Sequence, residues 1–215
     1  MLIDVNQVVA LLLAKRQEIP QERSVLAGIT GIDGSGKGYL SREIVLKLRQ
    51  QGLQAIHINV DGWLNLPHVR FSRKNSAEHF YNSAIRFDDL FNQLILPLKM
   101  NRSVTVTADF AQEMATEYRR HLYRVQDVAV IVLEGIYLLK RAYRAYFDLS
   151  FWIDCSFHTA LERALQRRQE NLSPVETIRA YETIYFPAQR IHFARDNPRA
   201  AADYIINNGC DEIQQ

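Results

Sequence analysis

Hydrophobic positions along the chain follow two rhythms. Ser24–Thr30 (SVLAGIT) is a short β-branched, apolar run that ends among glycines, Gln54–Val60 (QAIHINV) is a second run closed by Asp61-Gly62, and Val128–Leu133 (VAVIVL) is apolar at every position. All three predict strands, the first a buried parallel strand and the last one apolar on both faces, as in the middle of a parallel sheet covered by helices. Ser103–Thr107 (SVTVT), Leu149–Asp154 (LSFWID) and Tyr204–Asn207 predict three more strands. Between the runs, spacing at three and four residues predicts helices over Lys37–Gln50, Phe87–Leu98, Thr159–Gln169 and Pro174–Tyr185, and Glu113–Arg124 (EMATEYRRHLYR) carries helical spacing and basic character as well. Strands alternating with helices predict an α/β three-layer fold with a mainly parallel central sheet flanked by helices.

Composition narrows the reading. The 215 residues are 47% hydrophobic and 23% charged, which predicts a single domain over residues 1–215 with one sizeable core. Residues 1–22 read as an amphipathic leading helix. Their apolar stretch, Val8 to Ala14, is far shorter than the roughly 18 to 20 residues a bilayer needs. Asp4 precedes that stretch and Lys15 and Arg16 follow it, the reverse of a secretory signal. A net charge of +2 does not indicate a nucleic-acid partner, and no membrane partner is expected. The two cysteines, Cys155 and Cys210, form neither a CxxC nor a metal-ligand cluster, so a reduced, cytoplasmic setting is expected. Homo-oligomerisation stays open.

The chemistry enters at Gly31-Ile32-Asp33-Gly34-Ser35-Gly36-Lys37-Gly38, which matches G-x-x-x-x-G-K between an expected strand and an expected helix. Glycines let such a segment curl so that successive N–H groups point at phosphate oxygens, the following helix adds its positive end, and Lys37 bridges the outer phosphates. Gly31, Asp33, Gly34, Ser35, Gly36, Lys37, Gly38 and Tyr39 are the expected nucleotide-binding residues. One position departs from the pattern. The residue after the lysine is normally Ser or Thr, whose hydroxyl binds Mg²⁺, and here it is Gly38. Ser41, one helical turn later, is a weak substitute. Mg²⁺ accepts water readily in place of a protein ligand, so either other groups and water hold the metal or metal-dependent catalysis is weakened. An Asn-Lys-x-Asp guanine-reading segment is absent, which disfavours a GTPase switch.

From this loop onward the chain resembles the uridine kinase-like branch of P-loop kinases, which includes phosphoribulokinase and bacterial pantothenate kinase. Five blocks carry the resemblance: GIDGSGKG, whose GIDGSGK wording also looks like thymidylate kinase; VDGW at Val60–Trp63; VIVLEGIYLL at Val130–Leu139; DCSFHTALERALQRR from Asp154 to Arg168; and AADYIINNG ending at Gly209. It implies a P-loop NTPase fold with a small helical lid over about residues 155–190, and ATP-dependent transfer of a phosphoryl group to an alcohol group of a small metabolite, with Mg²⁺. It also implies that Asp61 faces the acceptor hydroxyl, that Glu134 stands near the metal, with Asp61 as a further metal-facing acid, and that Arg163 and Arg167 are lid arginines. Arg168 has no such match.

The residues themselves fit those roles without compelling them. Asp61 ends a strand, where open α/β sheets bind ligands, and its carboxylate can orient or deprotonate a hydroxyl; a turn-forming Asp-Gly pair explains it equally. Arg163 and Arg167 lie four apart on one helix face, as two groups closing over phosphates would, and as a solvated basic helix paired with Glu162 and Glu170 would. On the acceptor side, uridine kinases carry a Phe-Asp pair and a Tyr-Asp-Phe block followed by His. Here Tyr81-Asn82 and Ala108-Asp109-Phe110 stand in their places, with no His in the next few positions. Uridine is therefore disfavoured, and a nucleoside-like or sugar-like acceptor is expected against Asp61, Trp63, Arg70, Tyr81 and Asp109, with His68, Arg73 and Lys74 nearby; the three cations Arg70, Arg73 and Lys74 read as a solvated loop or, in a kinase, as the receiver of an acceptor that already carries a phosphate or carboxylate. A nucleotide-binding protein with weak or lost kinase activity is the alternative that Gly38 raises.

Overall fold

The computed structural model describes residues 2–167 and 172–208. Arg168, Gln169, Glu170, Gly209 and Cys210 lie outside the described residues. The chain opens with β1 (Leu2–Ile3) and α1 (Val5–Glu18), whose first turn is closed by a reciprocal pair: the Asp4 carboxylate accepts from the Gln7 N–H, and the Gln7 side chain accepts from the Asp4 N–H. β2 (Val25–Gly31) leads through the glycine loop into α2 (Lys37–Gln50), and β3 (Ala55–Asn59) ends in a short 3₁₀ turn over Val60–Gly62. Two short helices follow, α3 (Pro67–Arg70) and α4 (Ser76–Ser83).

The helix expected over Phe87–Leu98 forms as α5 (Phe87–Leu90) and α6 (Leu96–Asn101) joined by a π-turn over Phe91–Ile95. The cause is Pro97. Its ring would collide with the carbonyl four residues back and it has no N–H to donate, so the helix widens before it. The same device recurs near the C-terminus, where α7 (Phe157–Arg167) precedes α8 (Pro174–Ala180), a π-turn over Tyr181–Tyr185 and α9 (Phe186–Asp196), with Pro187 two residues past the π-turn. A short α10 (Pro198–Ala201) leads to the last strand.

The strands among the described residues form two sheets. β4 (Val104–Phe110) and β5 (Arg119–Val125) form a separate antiparallel hairpin, while β6 (Val130–Gly135), β7 (Leu149–Asp154) and β8 (Tyr204–Asn207) complete a parallel sheet of order β1-β8-β7-β2-β6-β3. This is the expected three-layer α/β fold, with two corrections. The strand near Ser103–Thr107 belongs to the hairpin rather than the central sheet, and Arg119–Val125 is a strand where a helix over Glu113–Arg124 was expected. His121, Tyr123 and Val125 alternate with Arg120, Leu122 and Arg124, a period of two that pairing with β4 fixes.

β2 and β6 are buried along their whole length and lie side by side in the interior of the sheet. Ala27, Ile29 and Val132 pack against α1 and α2 through Val8, Leu12, Ile44 and Leu48, while Leu26, Ile131 and Leu133 pack against Leu90, Leu94 and Leu98 on the other face. Gly135, at the end of β6, passes directly under Val60: a Cβ there would sit 2.7 Å from Val60 Cγ1 and closer still to Cγ2. That close passage brings the end of β6 beside the turn carrying Asp61. Gly135→Ala is expected to lower unfolding stability by about 1–3 kcal/mol, the cost of overpacking a tight core, measured by denaturant titration.

Candidate active site

The glycine loop turns back on itself in confined space. Gly34 and Gly36 adopt positive φ of 78° and 91°, which side chains disfavour. A Cβ on Gly31 would meet Ser35 Oγ at 2.7 Å and the Ile153 carbonyl at 2.9 Å, and one on Gly34 would meet the Ala160 carbonyl at 2.5 Å. The Lys37 side chain is buried and its ammonium donates to the Ile32 carbonyl at 2.8 Å, so the cation stands over the loop. Asp33 accepts from the Gly34 N–H at 2.9 Å and from the Tyr181 hydroxyl, and Arg167 approaches its carboxylate at 3.8 Å.

A cavity of about 920 Å³ opens over this loop, lined by the loop, the ends of β3 and β6, the β4-β5 hairpin, and residues of α7 to α9. Asp61, Lys37, Glu134, Arg70 and Arg167 all line it, and Tyr39 stands exposed at its edge. Gly62 allows the hairpin to come close: a Cβ there would lie 2.7 Å from the Phe110 ring. Asp61 keeps an open side toward the cavity water, but the surrounding walls and the neighbouring charges of Glu134 and Asp33 push its carboxyl up to about 6 from an ordinary value of 3.8, with Lys37 opposing. Burial likewise raises Glu113, which Arg70 and Arg167 counter.

Around Gly38 the environment is specific. Glu134 is buried, its Oε2 lies 3.4 Å from His57 Nε2, and a Cβ on Gly38 would have ordinary contacts of 3.7 Å to Glu134 Oε2 and 3.8 Å to Arg42 Nη2. The missing side chain thus leaves a gap between a carboxylate and a guanidinium. Ser41 does not reach it: the residue is buried, its hydroxyl has no partner, and it is not among the cavity walls. Among the described residues no group of three or more His, Cys, Asp or Glu is placed to hold a metal ion alone. Two carboxylates on one cavity, Glu134 and Asp61, do fit Mg²⁺, which binds through one or two carboxylates, phosphate oxygens and retained water.

Several expected acceptor residues lie elsewhere. Trp63 is fully buried, stacked on Tyr123 at 5.7 Å with Arg86 over its face, and is a core residue behind the hairpin. Tyr81 is buried and donates to Asp196 at 2.6 Å, in a network where His192 also contacts that carboxylate at 2.7 Å. Asp109 points outward to Arg120 at 2.8 Å. Arg70 does line the cavity, with its guanidinium donating to the carbonyls of Asn65 and Glu113.

Other residues take those places. His121 and Tyr123 come across the hairpin, His121 directly opposite Ala108, and join Phe110 on the cavity wall. The small side chain at Ala108 faces an aromatic ring supplied by the partner strand, which a scan along β4 alone misses. Tyr137 and Gln189 line the cavity deeply buried, with the Tyr137 hydroxyl and Gln189 Oε1 lacking protein partners. His57 had a legible signal, since alternation along QAIHINVD puts it in phase with Asn59 and Asp61.

The two arginines of α7 divide. Arg167 reaches Asp33 across the cavity edge, whereas Arg163 donates to the Ser35 carbonyl at 3.3 Å and the Asn208 carbonyl at 3.0 Å, and the Asn208 amide also donates to Ser35 O at 2.7 Å. Arg163 is therefore a brace that ties the back of the loop to the end of β8.

A glycine loop between an interior parallel strand and its helix, acids at the ends of β6 and β3 and a helical cover are the arrangement of a P-loop kinase fold. The chain belongs to the Phosphoribulokinase / Uridine kinase family, whose model matches residues 26–171. It is 28% identical over 149 residues to a uridine kinase of Limosilactobacillus reuteri, covering 68% of this chain and 66% of that protein, so the match spans just under two thirds of that relative. It is 23% identical over 200 residues to a uridine kinase of Alkaliphilus metalliredigens, covering 89% of this chain and 91% of that one. A solved structure of a possible uridine kinase from Bacillus stearothermophilus shares the fold with a TM-score of 0.71 at 19% identity, covering 95% of this chain and 100% of that one. No helix among the described residues is long and apolar enough to cross a membrane.

Arg163→Ala should lower stability by about 1–3 kcal/mol, the loss of charged hydrogen bonds to two carbonyls, and weaken nucleotide binding with it. Arg167→Ala should leave the melting temperature within about a degree or two while depressing turnover, since its partner Asp33 is half-exposed and the pair contributes little to folding. Thermal melts and steady-state kinetics on both variants separate the two roles.

Proposed function

We propose that the protein transfers the γ-phosphoryl group of ATP, with Mg²⁺, to an alcohol group of a small, uncharged, nucleoside-like or sugar-like metabolite, in a reduced, cytoplasmic setting. The observation that carries this reading is the shared cavity of Lys37 and Asp61, with the carboxyl of the acid raised toward neutrality. A base with a value near 6 is ionised at pH 7 yet basic enough to take a proton as it becomes acidic in the transition state. In the reaction, the acceptor oxygen bonds to the γ-phosphorus while the bond from phosphorus to the β,γ-bridging oxygen breaks; ADP leaves with that electron pair and the hydroxyl proton passes to Asp61. Lys37 and the loop amides hold the moving charge, and Tyr181 and Arg167, both on Asp33, link the helical cover to the loop. Mg²⁺, held against Glu134 and Asp61 with phosphate oxygens and water, would supply further charge neutralisation.

Support for an uncharged acceptor comes from the walls. Arg70 is engaged by carbonyls and faced by Glu113, so its charge does not call for an anionic substrate. The hydroxyl of Tyr137, the amide oxygen of Gln189 and the rings of Phe110, His121 and Tyr123 offer hydrogen bonds and a flat apolar face instead.

Asp61→Asn tests the base. Turnover should fall about 10² to 10⁴-fold. The linkage has a definite sign. A carboxyl raised in the folded state favours folding below its unfolded value near 3.8 and loses that contribution as pH rises through about 6, so Asp61→Asn should raise the melting temperature at pH 8 and leave it unchanged at pH 3. An Asn variant with wild-type turnover would remove Asp61 from the chemistry.

A second reading, a nucleotide-binding protein without efficient transfer, is favoured by one observation, the open gap at Gly38 beside Glu134. A Cβ at residue 38 meets only ordinary contacts, so Gly38→Thr tests the gap directly. If the wild type binds ATP but no panel of hydroxyl acceptors stimulates turnover, and the Thr variant gains turnover, the second reading replaces the first.

A further inference from the structure

Gly38 and Arg42 are four residues apart on α2 and share a face, and side chains on a helix lean toward its N-terminus. Arg42 follows that lean far enough to bring Nη2 within 3.8 Å of the point where a side chain on residue 38 would begin, on the cavity wall and opposite Glu134 Oε2 at 3.7 Å from the same point. With glycine at 38, the space between the Glu134 carboxylate and the Arg42 guanidinium stays open to the cavity.

The other lysine and arginine groups on this cavity are committed. Lys37 holds the Ile32 carbonyl, Arg70 holds the carbonyls of Asn65 and Glu113, and Arg167 faces Asp33. The nearest acid, Glu134, is contacted by His57, and among the described residues Arg42 makes no salt bridge. A partnerless guanidinium beside the first turn of a phosphate-loop helix is built for phosphate oxygens, which it binds through paired, directed N–H groups.

We propose that Arg42 is a phosphate-binding catalytic residue whose guanidinium contacts the terminal phosphates of the bound nucleotide and takes over charge neutralisation that a hydroxyl-anchored metal ion would otherwise supply. Gly38 is then an exchange of one electrostatic device for another rather than a lost ligand. The inference rests on the kinase reading for its catalytic half and on the loop alone for its binding half.

Equilibrium binding of ATP, measured in EDTA and again in Mg²⁺, tests it on wild type, Arg42→Ala, Arg42→Lys and the double variant Gly38→Thr with Arg42→Ala. Arg42 is exposed, so these proteins should fold, and thermal melts check that they do. Arg42→Ala should weaken metal-free ATP binding about tenfold or more, Arg42→Lys should restore part of it, and turnover should fall by at least about a hundredfold, as loss of a transition-state arginine does. The double variant should regain turnover only with Mg²⁺. Unchanged metal-free ATP affinity in Arg42→Ala overturns the proposal, whatever turnover does. Weakened affinity in a protein that phosphorylates no acceptor upholds Arg42 and removes the kinase reading instead.

Discussion

The architecture depends on a loop that must reverse direction where no side chain fits. Gly31 lies against Ile153 of β7, Gly34 against Ala160 of α7, and Gly36 against the Asn208 amide beyond β8, so three separate elements close around one backbone curl. β2 can deliver the chain to that point because β6 and β7 flank it in parallel register, Thr30 opposite Gly135 on one side and Gly31 opposite Ile153 on the other. Any widening of the sheet would open the curl, and any side chain inside it would push the flanking elements apart.

Electrostatics then sort the cavity. Four acids, Asp33, Asp61, Glu113 and Glu134, and four cations, Lys37, Arg42, Arg70 and Arg167, line the same space. Most of them are neutralised locally by carbonyls, hydroxyls or each other, and such pairings fix geometry more than they add stability. Two groups keep unspent chemistry: Asp61, whose charged form is disfavoured by the walls and by neighbouring acids, and Arg42, which has no acidic partner among the described residues. They are the groups to which the proposals above give the roles of base and phosphate ligand.

The cover over the cavity is shaped by proline as much as by packing. Pro187 widens the helix just before it, and the resulting π-turn presents Tyr181 to Asp33 and Tyr185 to the cavity. Pro97 does the same in the earlier helix, where the widened turn serves the core, with Phe91, Leu94 and Ile95 buried. One local rule thus produces a packing feature in one helix and a functional feature in another.

Features whose physics is local were legible along the chain. A continuous apolar run such as Val128–Leu133 has only one stable environment, between helix layers, and GIDGSGKG between a strand and a helix has few conformations besides a phosphate cradle. The absence of a hydroxyl at Gly38 was equally plain. Tertiary structure decided whatever depends on which segments meet. His121 replaces a ring that β4 lacks only because antiparallel register sets it opposite Ala108, and the same cross-strand pairing makes Arg119–Val125 a strand despite spacing that suits a helix. Trp63 and Tyr81 carry the right chemistry for a substrate wall but are claimed by Tyr123 and Asp196, partners 60 and 115 residues away. Arg163 and Arg167, indistinguishable along the chain, part company because one turn of helix separates a loop carbonyl from a loop carboxylate. Side-chain role is settled by distance in space, and sequence spacing measures that distance only within a single helix or strand.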